Sequence, residues 1–135
     1  IILCTRDPKD NCLSLFKNNF ASNDMGWTYN QEDIVGYYKL YLKLINFWKL
    51  KIQDNIYEAN YENITKNKEQ EIKKIIKFCD LKWDPACLNH HKNNKTPIKT
   101  VSVSQARKPI YTSSVNSNIF YSKELKKMFS LLDDI

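Results

Sequence analysis

The chain has 135 residues, of which 42% are hydrophobic and 27% are charged, and its formal net charge is +6. This composition is typical of one globular domain, and no apolar run approaches the roughly 20 residues that a membrane helix needs. The excess positive charge is nearly all lysine spread along the sequence, which favours a solvated surface over a nucleic-acid-binding stripe.

The chain begins with a short apolar segment that predicts a buried strand. Ile1–Cys4 is continuously apolar, as in strands of parallel sheets that are covered on both faces. Asp7 is a suitable N-cap and Pro8 suits the first helical position, so we expect a helix from Pro8 to Phe20, followed by a loop over residues 21–30.

The middle of the chain predicts a long helix, a strand and a third helix. Apolar residues spaced by three and four indicate an amphipathic helix from Gln31 to about Ile52. The expected core-facing positions are Ile34, Tyr38, Tyr41, Ile45, Trp48 and Ile52. Residues 55–64 alternate weakly and predict a strand, and residues 64–81 have helical spacing.

The last third of the chain predicts shorter elements. A turn at Trp83 leads into a short helix that reaches Leu88, and residues 90–114 are expected to form an ordered loop. Two short helices are predicted over Val115–Tyr121 and Lys123–Leu132. The order of strands and helices predicts an α/β layer fold with a parallel sheet.

The cysteines and histidines do not indicate a metal centre. The four cysteines include no C-x-x-C pair and are expected to be reduced and partly buried, with a Cys79–Cys87 bridge left as an alternative. His90 and His91 are adjacent, but a zinc site needs about four converging ligands, so we expect neutral loop histidines and no metal.

The two arginines are the strongest candidates for a binding site. Only Arg6 and Arg107 occur among 21 basic residues. Because a guanidinium can grip a phosphate bidentately and an ammonium cannot, both are predicted to bind oxyanions. Arg6 follows the first strand, where ligands bind in open parallel sheets, and Ser14 lies two turns into the next helix. The alternative is a surface serine and a salt bridge from Arg6 to Asp7 or Asp10.

Several motifs together resemble the sulfotransferases that use 3′-phosphoadenosine-5′-phosphosulfate. An apolar strand leads to Arg6 and, eight residues later, to Ser14, and a strand ending in Y-E recurs at Tyr61-Glu62. An F-C-x-L-x-W turn follows at residues 78–83. A T-x-S-x-x-Q-x-R-x-P-I-Y loop occupies residues 100–111. The resemblance covers almost the whole chain and is greatest to bacterial relatives of protein-tyrosine sulfotransferases, often found behind tetratricopeptide repeats.

The resemblance implies roles for six residues in binding the nucleotide. Arg6 and Ser14 would bind the 3′-phosphate, and Tyr61 would lie by the adenine. The phosphate side would be closed by three loop residues: Ser102, Arg107 and Lys108. The cosubstrate would be 3′-phosphoadenosine-5′-phosphosulfate, with adenosine 3′,5′-bisphosphate as product, and the acceptor would be a hydroxyl group on a peptide tyrosine, a carbohydrate or a small molecule. No nucleic acid or membrane partner is expected.

The resemblance also implies that the sulfuryl-binding part of the domain is missing. Family members have a Gly-rich loop before the strand with which this chain begins, whereas the only glycines here are Gly26 and Gly36. Residue 1 is not Met and lies in an apolar run, so we expect residues 1–135 to be the C-terminal portion of a P-loop-type, three-layer sulfotransferase domain that contains no catalytic residue of its own. A cytoplasmic location is expected.

Two departures from the family pattern stand out. Asn116, Ser117 and Asn118 replace a glycine, a basic residue and a tryptophan, and Asn18 replaces an arginine found in some relatives. Two other functions are left open. The chain could be a nucleotide-binding remnant that transfers nothing, or a small basic nucleic-acid-binding domain, although nucleic-acid sites favour arginine and its aromatics follow core spacing.

Overall fold

The computed structural model describes residues 1–20, 23–92 and 107–135. It divides into two units, each of which is discontinuous in sequence. The first unit comprises Ile1–Thr5 and Tyr57–Ser113, and the second comprises Arg6–Ile56 and Ser114–Ile135. The boundaries therefore interrupt the chain directly after its first strand and directly before its second.

A parallel pair of strands forms the centre of the first unit. Strand β1 (Ile2–Thr5) pairs with β2 (Tyr57–Asn60) in a register that runs from Ile2 opposite Tyr57 to Thr5 opposite Asn60. Helices α3 (Tyr61–Lys66) and α4 (Lys68–Phe78) follow β2, and 3₁₀ turns occupy Pro85–Lys92. The predicted α/β class with a parallel sheet is confirmed.

The second strand is shorter than the sequence predicts. The expectation for residues 55–64 is wrong after Asn60, because Tyr61 and Glu62 are the first two residues of α3. Asn60 caps this helix: its side-chain oxygen accepts a hydrogen bond from the Asn63 backbone N–H at 2.9 Å. A side chain that satisfies a free N–H at this point ends the strand and starts the helix.

Helix α4 ends in a hydrogen-bonded C-terminal motif. The Leu81 N–H donates to the carbonyl of Ile76, and the Asp80 N–H donates to that of Lys77. This pair of bonds defines a Schellman motif, in which one residue adopts the left-handed conformation. That residue is Asp80, with a φ of 55°.

The second unit consists of helices. Helix α1 spans Pro8–Lys17, α2 spans Gln31–Lys51 and α5 spans Lys126–Asp133. Three 3₁₀ segments accompany them, over Asn23–Tyr29, Gln53–Asn55 and Ser117–Tyr121. Helix α1 ends three residues before the predicted Phe20, because the backbone of Asn18 is extended, with φ −87° and ψ 136°.

The core of the second unit joins its three helices. Helix α1 contributes Cys12 and Leu13, and α2 contributes Ile34 and Val35. The C-terminal part contributes Leu125, Met128, Phe129 and Leu132. Burial of apolar side chains at helical spacing thus links the start of the unit to residues more than a hundred positions later.

The outward face of α2 is also apolar. Tyr37, Leu40, Leu44 and Phe47 recur at spacings of three and four, and each exposes about half or more of its surface. The expected core stripe is therefore right at Ile34 but wrong at Trp48, which is 46% exposed. No helix among the described residues is long and apolar enough to cross a bilayer.

All four cysteines are free thiols, so the alternative of a Cys79–Cys87 bridge is excluded. Cys12 is fully buried, as expected for a core thiol, whereas Cys4 and Cys79 are exposed. The expected reduced state is therefore confirmed, and Cys79 is exposed because it follows the last residue of α4 rather than lying within the helix.

Candidate functional site

Arg6 precedes the N-cap residue of α1 and belongs to the second unit. Its Nη2 donates a hydrogen bond of 2.6 Å to the Ser114 carbonyl oxygen and lies 3.9 Å from Asp10 Oδ2. The Arg6 side chain as a whole is 20% exposed, whereas its Nε is buried. The expected alternative of an ion pair between Arg6 and Asp10 is thus present, and it leaves the predicted anion-binding role untested.

Ser14 lies on α1, four residues after Asp10, and is half-buried. Residues four apart lie on the same face of a helix, about 6 Å apart along its axis. Asp10 and Ser14 therefore share one face of α1, whereas Arg6 precedes the helix. The Ser14 carbonyl accepts a hydrogen bond from the Asn18 side chain at 2.7 Å.

The Asp10 carboxylate is the most highly coordinated side chain in this part of the second unit. Its Oδ1 accepts bonds from the backbone N–H of Asn118 at 2.7 Å, from the Asn118 side chain at 2.9 Å and from the Ser117 hydroxyl at 3.0 Å. Its Oδ2 accepts a bond from the Asn116 N–H at 2.7 Å. The residue is only 1% exposed, so a buried charge is matched by four hydrogen bonds.

These contacts keep the carboxyl of Asp10 ionised. Burial raises its pKa, but the hydrogen bonds from Asn118, Ser117 and Asn116 together lower it further, so the pKa lies below the ordinary value of 3.8. A carboxylate that accepts several N–H bonds has its charged form stabilised. Asp10 is therefore negatively charged at neutral pH.

The conformation of Asn116 allows this arrangement. Asn116 is left-handed, with φ 59° and ψ 23°. Glycine and asparagine are the residues that adopt this conformation at least cost. The left-handed residue turns two nearby N–H groups toward one carboxylate.

The remaining predicted site residues belong to the first unit. Tyr61 is the first residue of α3 and is half-buried. Arg107 and Lys108 are exposed, and the Lys108 carbonyl oxygen lies 3.1 Å from His90 Nε2. Ser102 falls outside the described residues. Arg6 and Ser14, by contrast, belong to the second unit.

Among the described residues, no group of three or more His, Cys, Asp or Glu side chains converges as metal ligands would. His90 and His91 lie in the 3₁₀ turns after Pro85, with their rings edge to face at 5.5 Å. The two rings contact each other, and His90 also lies against the Lys108 backbone carbonyl.

Sequence reasoning missed the Asp10 cluster. Asp10 reads as a first-turn acidic residue that favours a helix N-terminus, and nothing in its neighbourhood predicts a partner more than a hundred residues away. One signal was available: Asn116, Ser117 and Asn118 are three short polar residues where the family pattern has a glycine, a cation and an aromatic ring. Short polar side chains and a left-handed turn are typical of an anion-holding segment.

The order of elements defines an α/β protein with a parallel sheet, and each of its two described strands is followed by a helix. The model of the sulfotransferase family matches residues 1–85, well over half of the chain, and the chain belongs to this family. It is also similar to an uncharacterized protein of Aquifex aeolicus (strain VF5), with 30% identity over 136 residues. That match covers 99% of this chain and 18% of the relative, so the chain spans less than a fifth of that protein's length.

Proposed function

We propose that the chain takes part in transferring a sulfuryl group from 3′-phosphoadenosine-5′-phosphosulfate to a hydroxyl acceptor. The observation that carries the proposal is the register of the sheet. Thr5 lies opposite Asn60, so β1 and β2 end level, and the residue that follows each strand, Arg6 or Tyr61, is a predicted nucleotide ligand. Ligands of open parallel sheets bind beyond the carboxyl ends of the strands. Membership of the sulfotransferase family supports the reaction class.

In this proposal the chain binds the 3′-phosphate and adenine side of the nucleotide. Arg6 and Ser14 bind the 3′-phosphate, and Tyr61 packs beside the adenine. Ser102, Arg107 and Lys108 close over the phosphate. The partial exposure of the Arg6 side chain supports its role, because an anion needs access from solvent.

The sulfuryl group itself is handled by sequence other than these 135 residues. Transfer requires in-line positioning and stabilisation of charge on the migrating group, and the resemblance assigns both to a Gly-rich loop. Neither glycine of this chain lies in such a loop: Gly26 is in a 3₁₀ segment and Gly36 is inside α2. We therefore propose that residues 1–135 are the C-terminal part of a cytoplasmic, P-loop-type, three-layer domain.

The acceptor is the least specified part of the proposal. Resemblance to bacterial relatives of protein-tyrosine sulfotransferases makes a peptide tyrosine the first acceptor to test, with carbohydrates and small alcohols next. Each presents a hydroxyl oxygen as the nucleophile. A longer polypeptide that includes the Gly-rich loop is needed for this assay, with labelled phosphosulfate as donor.

Isothermal calorimetry tests nucleotide binding by the chain itself. We expect adenosine 3′,5′-bisphosphate to bind more tightly than adenosine 5′-monophosphate, which lacks the 3′-phosphate. Arg6→Ala should abolish this preference, and Arg6→Lys should weaken bisphosphate binding by about 1–3 kcal/mol, the scale of a charge-assisted hydrogen bond. Lys74→Ala is the matched control, because it removes one positive charge from an exposed lysine of α4 that has no proposed role.

Three results separate the alternatives. Equal affinity for the two nucleotides, or unchanged binding by Arg6→Ala, contradicts the proposed 3′-phosphate site. Tighter binding of a mixed oligonucleotide than of the bisphosphate favours the nucleic-acid-binding alternative. Bisphosphate binding by the longer polypeptide without transfer to any hydroxyl acceptor identifies the remnant.

A further inference from the structure

Asp10 has no part in the nucleotide contacts proposed above, although it lies between the two residues assigned to the 3′-phosphate. Arg6 precedes it by four residues and Ser14 follows it by four. A carboxylate at this position repels a phosphate, because both groups are negatively charged. Its presence there needs a physical reason.

The hydrogen bonds of Asp10 supply that reason. Four hydrogen bonds to the carboxylate come from residues 116–118, which are 106 to 108 positions later in the chain. Two of the donors are backbone N–H groups, whose positions are fixed by the course of the chain. The carboxylate therefore determines where this segment lies against the start of α1.

The same segment determines the direction of Arg6. Ser114, whose carbonyl accepts the Arg6 bond, is two residues before Asn116. Asp10 Oδ2 also lies 3.9 Å from the same Nη2, an ion-pair distance. One hydrogen bond to Ser114 and the attraction of the Asp10 carboxylate together restrict rotation of the planar guanidinium group.

We propose that Asp10 is a positioning residue that orients the Arg6 guanidinium by holding residues 114–118 against the N-terminus of α1. That the oriented guanidinium serves a 3′-phosphate rests on the proposed function. Asn116, Ser117 and Asn118 are thus ligands of a protein carboxylate, and the segment they form does not contact the nucleotide through these groups. Asp10 acts on binding only through Arg6.

Replacement of Asp10 by asparagine removes this orientation without changing the size of the side chain. An amide has one acceptor oxygen and one donor nitrogen, so its NH₂ group must face at least one of the N–H groups that the carboxylate now accepts. The segment loses a charge-assisted bond and gains a clash between donors. Ser117→Ala and Asn118→Ala are milder variants that remove single donors and keep the charge of Asp10.

The scarcity of arginine makes the orientation measurable. With isotope-labelled arginine, the chain gives guanidinium NMR signals from Arg6 and Arg107 alone, and Arg107→Lys assigns them. We expect rotation about the Cζ–Nε bond of Arg6 to be at least about tenfold slower than that of exposed Arg107. The rate should rise in the order Ser117→Ala, Asn118→Ala, Asp10→Asn, with circular dichroism confirming that each variant is folded.

Glu69→Gln is the matched control, because it neutralises a carboxylate of α4 that bonds Lys73 in the first unit. It should leave the Arg6 rate unchanged. Equal rotation of Arg6 and Arg107 in the unaltered chain overturns the positioning role. The positioning role is also overturned if Arg6 rotates slowly in the unaltered chain and just as slowly in Asn118→Ala and in folded Asp10→Asn.

Calorimetry then separates this inference from the proposed function. Asp10→Asn should weaken adenosine 3′,5′-bisphosphate binding about tenfold or more and leave adenosine 5′-monophosphate unaffected, because only the 3′-phosphate uses Arg6. If the unaltered chain binds no bisphosphate, the proposed function is contradicted. Faster Arg6 rotation in Asp10→Asn would still support the positioning role in that case. Faster Arg6 rotation with unchanged bisphosphate affinity overturns the link between Asp10 and binding.

Discussion

Asp80 is one of two described non-glycine residues with a positive φ, at 55°. The left-handed conformation costs an L-residue about 1–2 kcal/mol, although aspartate and asparagine adopt it more readily than most. The Schellman bonds of α4 fix this conformation regardless of the side chain. The type of residue at this position therefore determines the conformational strain at the end of α4.

We expect Asp80→Gly to raise the free energy of unfolding by about 1 kcal/mol, because glycine has no Cβ to strain at this φ. Urea denaturation measures the difference. Glu69→Gly is the control, because it places glycine within α4 instead of at its end. We expect it to lower the free energy of unfolding by about 1 kcal/mol. A stability loss in both variants would show that Asp80 is not strained.

The Cys12 thiol is buried in the core of the second unit. Burial, with the nearby charge of Asp7, raises its pKa to about 12. Because the thiolate is the reactive form, Cys12 should resist alkylation at pH 8, whereas exposed Cys4 and Cys79 should react rapidly.

Mass spectrometry after a short treatment with iodoacetamide tests this difference. Peptides that contain Cys4 and Cys79 should be modified first, and the Cys12 peptide should be modified only after denaturant is added. Early modification of Cys12 in native protein would contradict the core assignment.

Helix α2 has apolar residues on both of its faces. Ile34 is fully buried in the core, whereas Leu44 is 55% exposed on the outward face. Periodicity in the sequence indicates the helix correctly over 31–51, but it cannot assign faces when both are apolar. This ambiguity explains why Trp48 was expected inside and lies on the surface.

Leu44→Lys should change the free energy of unfolding by no more than about 0.5 kcal/mol, because surface substitutions away from specific contacts have small effects. It should also reduce binding of a hydrophobic dye and raise solubility. Ile34→Ala on the opposite face should cost about 2–4 kcal/mol through lost burial and a cavity. Similar losses in the two variants would contradict the assignment of the faces.

At the level of elements, the error at Tyr61 has a local cause. Tyrosine and isoleucine in residues 55–64 favour a strand, and α3 begins within this range because Asn60 caps it. The composition of these residues favours a strand, but the capping hydrogen bond of Asn60 favours the start of a helix. Helix α1, by contrast, starts where the sequence predicts, since Asp7 accepts a bond from the Asp10 N–H.

At the scale of the whole molecule, the charge of Asp10 links stability to pH. Its folded-state pKa lies below the ordinary value of 3.8, so the folded state binds fewer protons than the unfolded chain near that pH. The stabilisation is complete above this value and is lost as the pH falls below it. Exposed Glu32 and Glu69, whose pKa values are also lowered by lysine partners, titrate in the same direction.

Urea unfolding at pH 7, 4 and 3 tests this linkage. The unaltered chain should be more stable than Asp10→Asn at pH 7, and the difference should shrink at pH 3. Since Glu32 and Glu69 are present in both proteins, their contribution cancels in the comparison. A difference that is independent of pH would contradict a stabilising charge on Asp10.

The sequence predicted the α/β class and the parallel strand pair because local apolar runs, caps and helical spacing point to them. The rarity of arginine and the place of Arg6 after a strand made it a candidate anion ligand, and this role stays a prediction. The sequence could not predict the partners of Asp10, since a pairing across 108 residues leaves no local pattern. Long-range polar contacts are specified by geometry that only the assembled fold supplies.

Interleaving of the two units constrains how the chain can be made. During translation β1 is synthesised before residues 57–60, which form its strand partner. Helix α1 is separated further from its partners, because its carboxylate and its apolar face both contact residues after 114. Each unit includes residues after 107, so a nascent chain exposes unpartnered surface until these residues have been synthesised, and we expect chaperones to shield it.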